Sequence, residues 1–264
     1  EETYQKDPLE RRGVDGNLWI WEGVDYSKSY MVVADVARGD ATDYSAFHIL
    51  DVETLEQVAE YKGRMSTRDY GNLLVNMATE YNNALLVIEN NNIGWATIQQ
   101  VIDREYENLF YMSKDLQVVD VHRQINNKIN RMEKQLIPGF TITSKTRPLV
   151  VSKLEEFFRE RAVTVHSQRL IDELFVFIYK NSKTQALEGY NDDLVMSYSI
   201  LLWIRDTAIR IQSERNEFQS SMMSTIGSLN GRSPIMTSDN KIKPKESGWE
   251  IDIKGEKEDL TWLL

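Results

Sequence analysis

Residues 30–52 read YMVVADVARGDATDYSAFHILDV. The run from Tyr30 to Ala34 is apolar and β-branched, the composition of a buried strand. Asp35 follows at once, then a loop around Gly39, then Ser45–Val52, which alternates toward a second strand. A strand-ending aspartate often just caps the next turn. Two further acidic stretches give this one more weight. Glu89 closes the apolar run Leu85–Ile88 and opens the polar loop Asn90-Asn91-Asn92. Asp192 and Asp193 open GYNDDLVMSYSILLWI (189–204), where the most apolar helix of the chain begins.

A carboxylate set against an apolar run costs folding free energy unless a charge partner offsets it. Carboxylates that converge repel one another, and a divalent cation is the usual relief. The chain has no cysteine and three histidines, which rules out a thiolate site within it and argues against a histidine-rich zinc site. Hard cations, Mg²⁺ or Mn²⁺, are the natural choice. Each acid also has a plainer reading. Glu89 can be an exposed strand end, and a first-turn aspartate can be a helix cap. One of the Asp192–Asp193 pair is expected to cap, leaving the other to ligate, with Asp193 the better ligand. Asp43, brought back by the Gly39 loop, is either an auxiliary ligand or the end of a turn.

Around these acids the chain reads as an α/β protein. Gln57–Lys62 completes a three-strand meander, and helical spacing covers residues 68–82. A short strand at 84–88, a helix from Ile93 to about Glu105 and a strand at 109–112 follow. Residues 114–145 are irregular. An amphipathic helix spans 148–161, a short strand 163–165, a helix starts near Ser167, and the last helix runs to about Ile211. The order β-β-β-α-β-α-β-α resembles the ribonuclease H-like arrangement, a mixed central sheet whose three antiparallel strands lead into parallel ones, with helices on both faces. That resemblance implies a central first strand, with Asp35 and Glu89 as neighbours and the final helix presenting its first-turn carboxylate. Residues 1–28 read as a connector, 29–212 as the domain, and 213–264 as a flexible linker and a tail ending Leu260-Thr261-Trp262-Leu263-Leu264 that either docks or hangs free.

At 264 residues, 41% apolar and 27% charged, the chain has the profile of an ordinary soluble globular protein. No signal peptide is visible, and the apolar stretch 194–204 is too short to span a bilayer. A start at Glu1 is read as a fragment of something longer. GSLNGRS (227–233) lacks the lysine of a phosphate loop. The net charge of −10 is unevenly spread: residues 120–170 hold ten basic and five acidic side chains, +5, leaving −15 elsewhere. Arg123, Lys128 and Arg131 in that stretch, and Lys145 and Arg147 ahead of a helix, are the candidates for holding a DNA backbone, with a solvated helix start as the plain alternative for the last two. The histidines, Trp95, Phe157, Phe158 and Trp203 are expected to be structural.

Four motifs together resemble the C-terminal nuclease domain of phage terminase large subunits, in their T4-like branch, over roughly Leu18–Arg210. They are VVADVARGDATDYSAF, LLVIENNNIG, the basic TSKTRPLVVSKLEEF, and GYNDDLVMS, which the family writes Gly-Tyr-His-Asp-Asp-Leu-Val-Met-Ser. Asn191 replaces that histidine, and Arg38 stands where members can carry an acid. The resemblance implies Asp35, Glu89 and Asp193 as catalytic residues and metal ligands, with Asp192 and Asp43 beside them. It implies two Mg²⁺ or Mn²⁺ ions roughly 3.5–4 Å apart, one activating water and one stabilising the leaving 3′-oxygen. The implied activity is endonucleolytic cutting of concatemeric phage DNA at the start and end of packaging. Implied partners are double-stranded DNA, an ATPase domain N-terminal to this chain, the portal and the small terminase subunit. The implied place is the host cytoplasm and the procapsid portal vertex, with no membrane. Rival expectations are a cellular ribonuclease H-like resolvase or RNase, an actin-like kinase, and a non-catalytic DNA- or portal-docking module.

Overall fold

Six strands make the central sheet: β1 (Glu10–Arg12), β2 (Leu18–Ile20), β3 (Tyr30–Asp35), β4 (Ser45–Asp51), β5 (Gln57–Gly63) and β6 (Leu85–Ile88). The computed structural model describes residues 6–13, 15–37, 44–91, 93–113, 136–180, 183–207, 250–253 and 256–259. Strand order is β1-β2-β5-β4-β3-β6. Every neighbouring pair is antiparallel except β3 and β6, which are parallel. Past β6 the sheet is continued in fragments, with Leu109 bridging Leu86 and Phe140 bridging Glu89, both parallel. This is an α/β architecture with the mixed ribonuclease H-like sheet. Part of the stretch read as a connector is built into it: β2 pairs with β5, and Leu18, Ile20 and Trp21 are buried.

Helices cover both faces, so the inner strands have no solvent side. That is why β3 and β6 read as nearly unbroken apolar runs, and why even the polar residues of β4, Ser45, His48 and Asp51, are buried. The strand period still sorts the residues. Val32, Ala34, Phe47, Ile49, Leu86 and Ile88 pack in one core with α1 (Thr67–Glu80) and α2 (Gly94–Asp103). Met31, Val33, Ala46, Leu50, Leu85 and Val87 pack on the other face with α3 (Thr146–Arg159), α4 (Gln168–Val176) and α5 (193–207). Helix α1 starts at a serine cap, Ser66 Oγ accepting from Asp69 N at 3.1 Å. Helix α5 is buried nearly all round from Leu194 to Ile204, which explains its lack of a polar face.

Other elements differ from expectation in detail. Residues 163–165 form a single bridge, Thr164 to Glu56, rather than a strand. β7 (Tyr111–Ser113) pairs with β8 (Leu136–Pro138). Trp95 stands 47% exposed at the head of α2, not in the core. A hairpin that the sequence did not reveal, β9 (Phe177–Lys180) and β10 (Lys183–Ala186), follows α4. Its short strands are largely solvent-facing, so no apolar alternation announces them. Residues 1–214 and 215–264 form separate compact units. The described part of the second is one hairpin, β11 (Glu250–Ile253) with β12 (Glu256–Asp259).

Candidate functional site

Parallel register builds the first half of the site. β3 and β6 align Met31 with Leu85 and Ala34 with Ile88, an offset of 54 residues whose next step is Asp35 and Glu89. The Glu89 N–H donates to the Ala34 carbonyl at 2.9 Å. Since Met31, Val33, Leu85 and Val87 face α3–α5, the two-residue period puts both carboxylates on that same face. The two carboxyls lie close enough to interact, the Glu89 charge raising Asp35. Burial, then the Glu89 charge, then Asp193 and Asp192 hold the Asp35 carboxyl well above the usual carboxylate range. Burial also raises Glu89, opposed by its bonds to Asp35 and Asn91 and by the Arg147 charge.

The loop after Glu89 is sterically fixed. A Cβ on Gly94 would lie 1.8 Å from the Glu89 carbonyl oxygen, so only glycine lets α2 begin there. Gly139, at φ +81°, also passes a carbonyl too closely for a side chain, a Cβ there meeting the Ile88 oxygen at 2.4 Å.

The second half belongs to the start of α5. Asp193 Oδ2 accepts from the Tyr44 N–H at 3.3 Å and from Asn191 Nδ2 at 3.2 Å. Burial pushes its pKa up to about 6, although the Lys62 charge and these hydrogen bonds pull it down. Asp192 pairs with the Arg147 guanidinium, whose Nε donates to the Thr184 carbonyl of β10 at 3.0 Å. The expected cap by one of these aspartates is replaced by Glu173 of α4. Its Oε2 accepts from the Leu194 and Val195 N–H groups at 2.9 and 3.2 Å, and its Oε1 meets Lys62 Nζ at 2.5 Å. Burial raises Glu173 to about 7, with Lys62 opposing. Behind it, His48 Nε2 bonds the Leu194 carbonyl at 3.0 Å while Gln57 Nε2 approaches Nδ1 at 2.9 Å. An amide donor at Nδ1 assigns the proton to Nε2, and burial lowers the His48 pKa, so the ring is neutral.

The structure thus brings Asp35, Glu89, Asp192, Asp193 and Arg147 into one electrostatic neighbourhood. Lys145 is exposed at the α3 N-cap. Asp43, Arg123, Lys128 and Arg131 lie outside the described residues. Sequence reading missed Glu173, His48 and Lys62. The available signal was Glu173 itself, a carboxylate on the buried side of α4 with Leu170 and Ile171. Among the described residues no three carboxylate or imidazole groups stand together closely enough to hold a metal ion. The assembled part is the Asp35–Glu89 pair, with Asp193 near enough to raise Asp35. An all-oxygen donor set whose members raise one another's pKa fits a hard divalent cation.

Solved structures of similar fold are the following. The large terminase nuclease of thermophilic phage G20c with bound magnesium matches at TM-score 0.55 and 20% identity, over 76% of this chain and 91% of that one. Its cobalt-bound form gives the same values. The Thermus phage P74-26 large terminase nuclease domain matches at TM-score 0.53 and 21% identity, over 74% and 87%. The chain has the fold of the phage large-terminase nucleases. No family model matches its sequence. In the terminase nuclease fold of this chain, the acids lie at the C-terminal ends of the two parallel strands, where open α/β sheets place their ligands.

Proposed function

We propose that this chain is the nuclease domain of a phage terminase large subunit, a divalent-metal-dependent endonuclease acting on DNA. One observation carries the reading: Asp35 and Glu89 end adjacent parallel strands on one face of the sheet, with Asp193 near enough that its charge raises the Asp35 carboxyl. The fold is the one in which the G20c nuclease holds magnesium, cobalt or zinc. Lewis-acid polarisation of the phosphodiester and activation of water are what divalent cations, two Mg²⁺ or Mn²⁺ in this proposal, supply when bound. The chain's own residues do the rest. Asp35, Glu89 and Asp193 would hold the cations in their ionised form, with Asp192 and Asp43 beside them. Arg147 sets Asp192 in place and carries positive charge beside Glu89. With Lys145, Arg123, Lys128 and Arg131 it is proposed to hold the phosphate backbone, a contact that reads no base sequence. Residues 29–212 are proposed as the nuclease domain and 213–264 as a tail.

The cellular role follows from that assignment: cutting of concatemeric DNA at both ends of packaging. It joins an ATPase domain, the portal and the small subunit, in the host cytoplasm and at the procapsid vertex. No helix among the described residues is long and apolar enough to cross a membrane. The test is a substrate panel of linear duplex, four-way junction and RNA–DNA hybrid, each with Mg²⁺, Mn²⁺ or EDTA. Metal-dependent cutting of plain duplex is expected. A marked preference for junctions or hybrids would assign the chain to a resolvase or an RNase instead.

A further inference from the structure

Both backbone polar groups of Leu194, next to Asp193, are held. Its N–H is held by Glu173 of α4 and its carbonyl by His48 of β4. Glu173 takes the Val195 N–H as well and is itself held by Lys62 of β5. Glu173 and His48 are both buried. A helix start normally recruits the side chain just ahead of its first turn to satisfy these N–H groups. In α5 that side chain, Asp192, is occupied by Arg147, and Asp193 faces Tyr44 and Asn191.

We propose that Glu173 is a positioning residue for Asp193: by taking over the first-turn N–H groups of α5 it leaves Asp192 to Arg147 and Asp193 to the site, and fixes the height of Asp193 against Asp35. The inference rests on the metal-dependent nuclease reading and adds a residue that touches neither metal nor DNA. Lys62 is its necessary companion, since an unpaired buried carboxylate could not stay charged there. The neutral His48, held by Gln57, takes the carbonyl of the Leu194–Val195 peptide whose N–H Glu173 accepts, so that peptide is fixed from both sides.

Test variants are Glu173→Ala, Glu173→Gln and Glu173→Asp, with Tyr81→Phe as a control. That control loses a hydrogen bond to the Glu22 carbonyl in the opposite core. Mn²⁺ affinity is read by calorimetry, the Leu194 and Val195 amides by hydrogen exchange, and turnover by plasmid cleavage. Glu173→Ala is expected to weaken Mn²⁺ binding by about 10–100-fold, the usual cost of losing the support behind a metal ligand. Exchange at both amides should accelerate. Glu173→Gln, which keeps an acceptor oxygen, should recover most of the loss. If Glu173→Ala does not fold, Glu173→Asp, one methylene short of the amides, replaces it with the same expectation. A Mn²⁺ affinity no weaker than that of Tyr81→Phe, or a glutamine no better than alanine, overturns the proposal. If the parent neither binds Mn²⁺ nor cuts DNA, the nuclease reading fails. Unchanged exchange at Leu194 and Val195 would then overturn the clamp as well.

Discussion

At the scale of single residues, the acids of this site work against the fold that carries them. Burial and the neighbouring acids raise the Asp35 carboxyl, so ionising it without a cation costs stability. Asp35→Asn should therefore abolish cleavage yet raise the melting temperature of the metal-free protein at pH 7.5. A gain of about 1 kcal/mol would appear as roughly 2–4 °C in a chain of this size; a fall in melting temperature would contradict the account. Glycine at 94 carries the opposite kind of constraint. Gly94→Ala drives a methyl into the Glu89 carbonyl and should cost at least about 1–3 kcal/mol, with loss of cutting, read by denaturant unfolding and plasmid assay. Much of this scale was legible in the chain. Asp35 and Glu89 stood out because each ends an apolar strand. Glu173 stayed hidden, since its partners are the backbone of a helix 21 residues away and no spacing rule connects them.

Elements were legible in proportion to their burial. β3, β4, β6 and the 194–204 stretch of α5 are buried over nearly their whole length and are mainly apolar, and the sequence marks them clearly. The β9–β10 hairpin was invisible because its strands are mostly exposed, and β1–β2 because three-residue strands carry too little pattern. Fragments bridging β6 at Leu109 and Phe140 defeat prediction for another reason, as two distant segments share one strand position. The same logic ranks the elements energetically. Leu201→Ala in the fully buried α5 should cost about 2–5 kcal/mol by denaturant melting. Leu187→Ala, at a residue 41% exposed, should fall within about 0.5 kcal/mol of the parent. Equal losses would mean that α5 is not the keystone of its face of the sheet.

For the whole molecule the raised carboxylates set a pH dependence. Asp193 at about 6 and Glu173 at about 7 stay protonated in the native state where the unfolded chain has already ionised, near pH 4. Between about pH 4 and pH 7 the native state thus binds more protons, so metal-free stability falls as pH rises through that window and levels off above it. A divalent cation that takes up the ionised carboxylates should reverse this, raising the melting temperature more at pH 7.5 than at pH 5. An equal shift at both pH values would place cation binding elsewhere. The net charge of −10 belongs to this scale too: part of the excess is concentrated where a cation would offset it, so acidity of the chain and affinity for DNA do not conflict. The most direct test is cleavage of supercoiled plasmid in Mn²⁺ by the parent beside folded Glu89→Gln and Asp193→Asn variants. Nicking and linearisation by the parent, abolished by EDTA and by either substitution, is the predicted result. Undiminished cutting by both variants would contradict the carboxylate site on which the account rests.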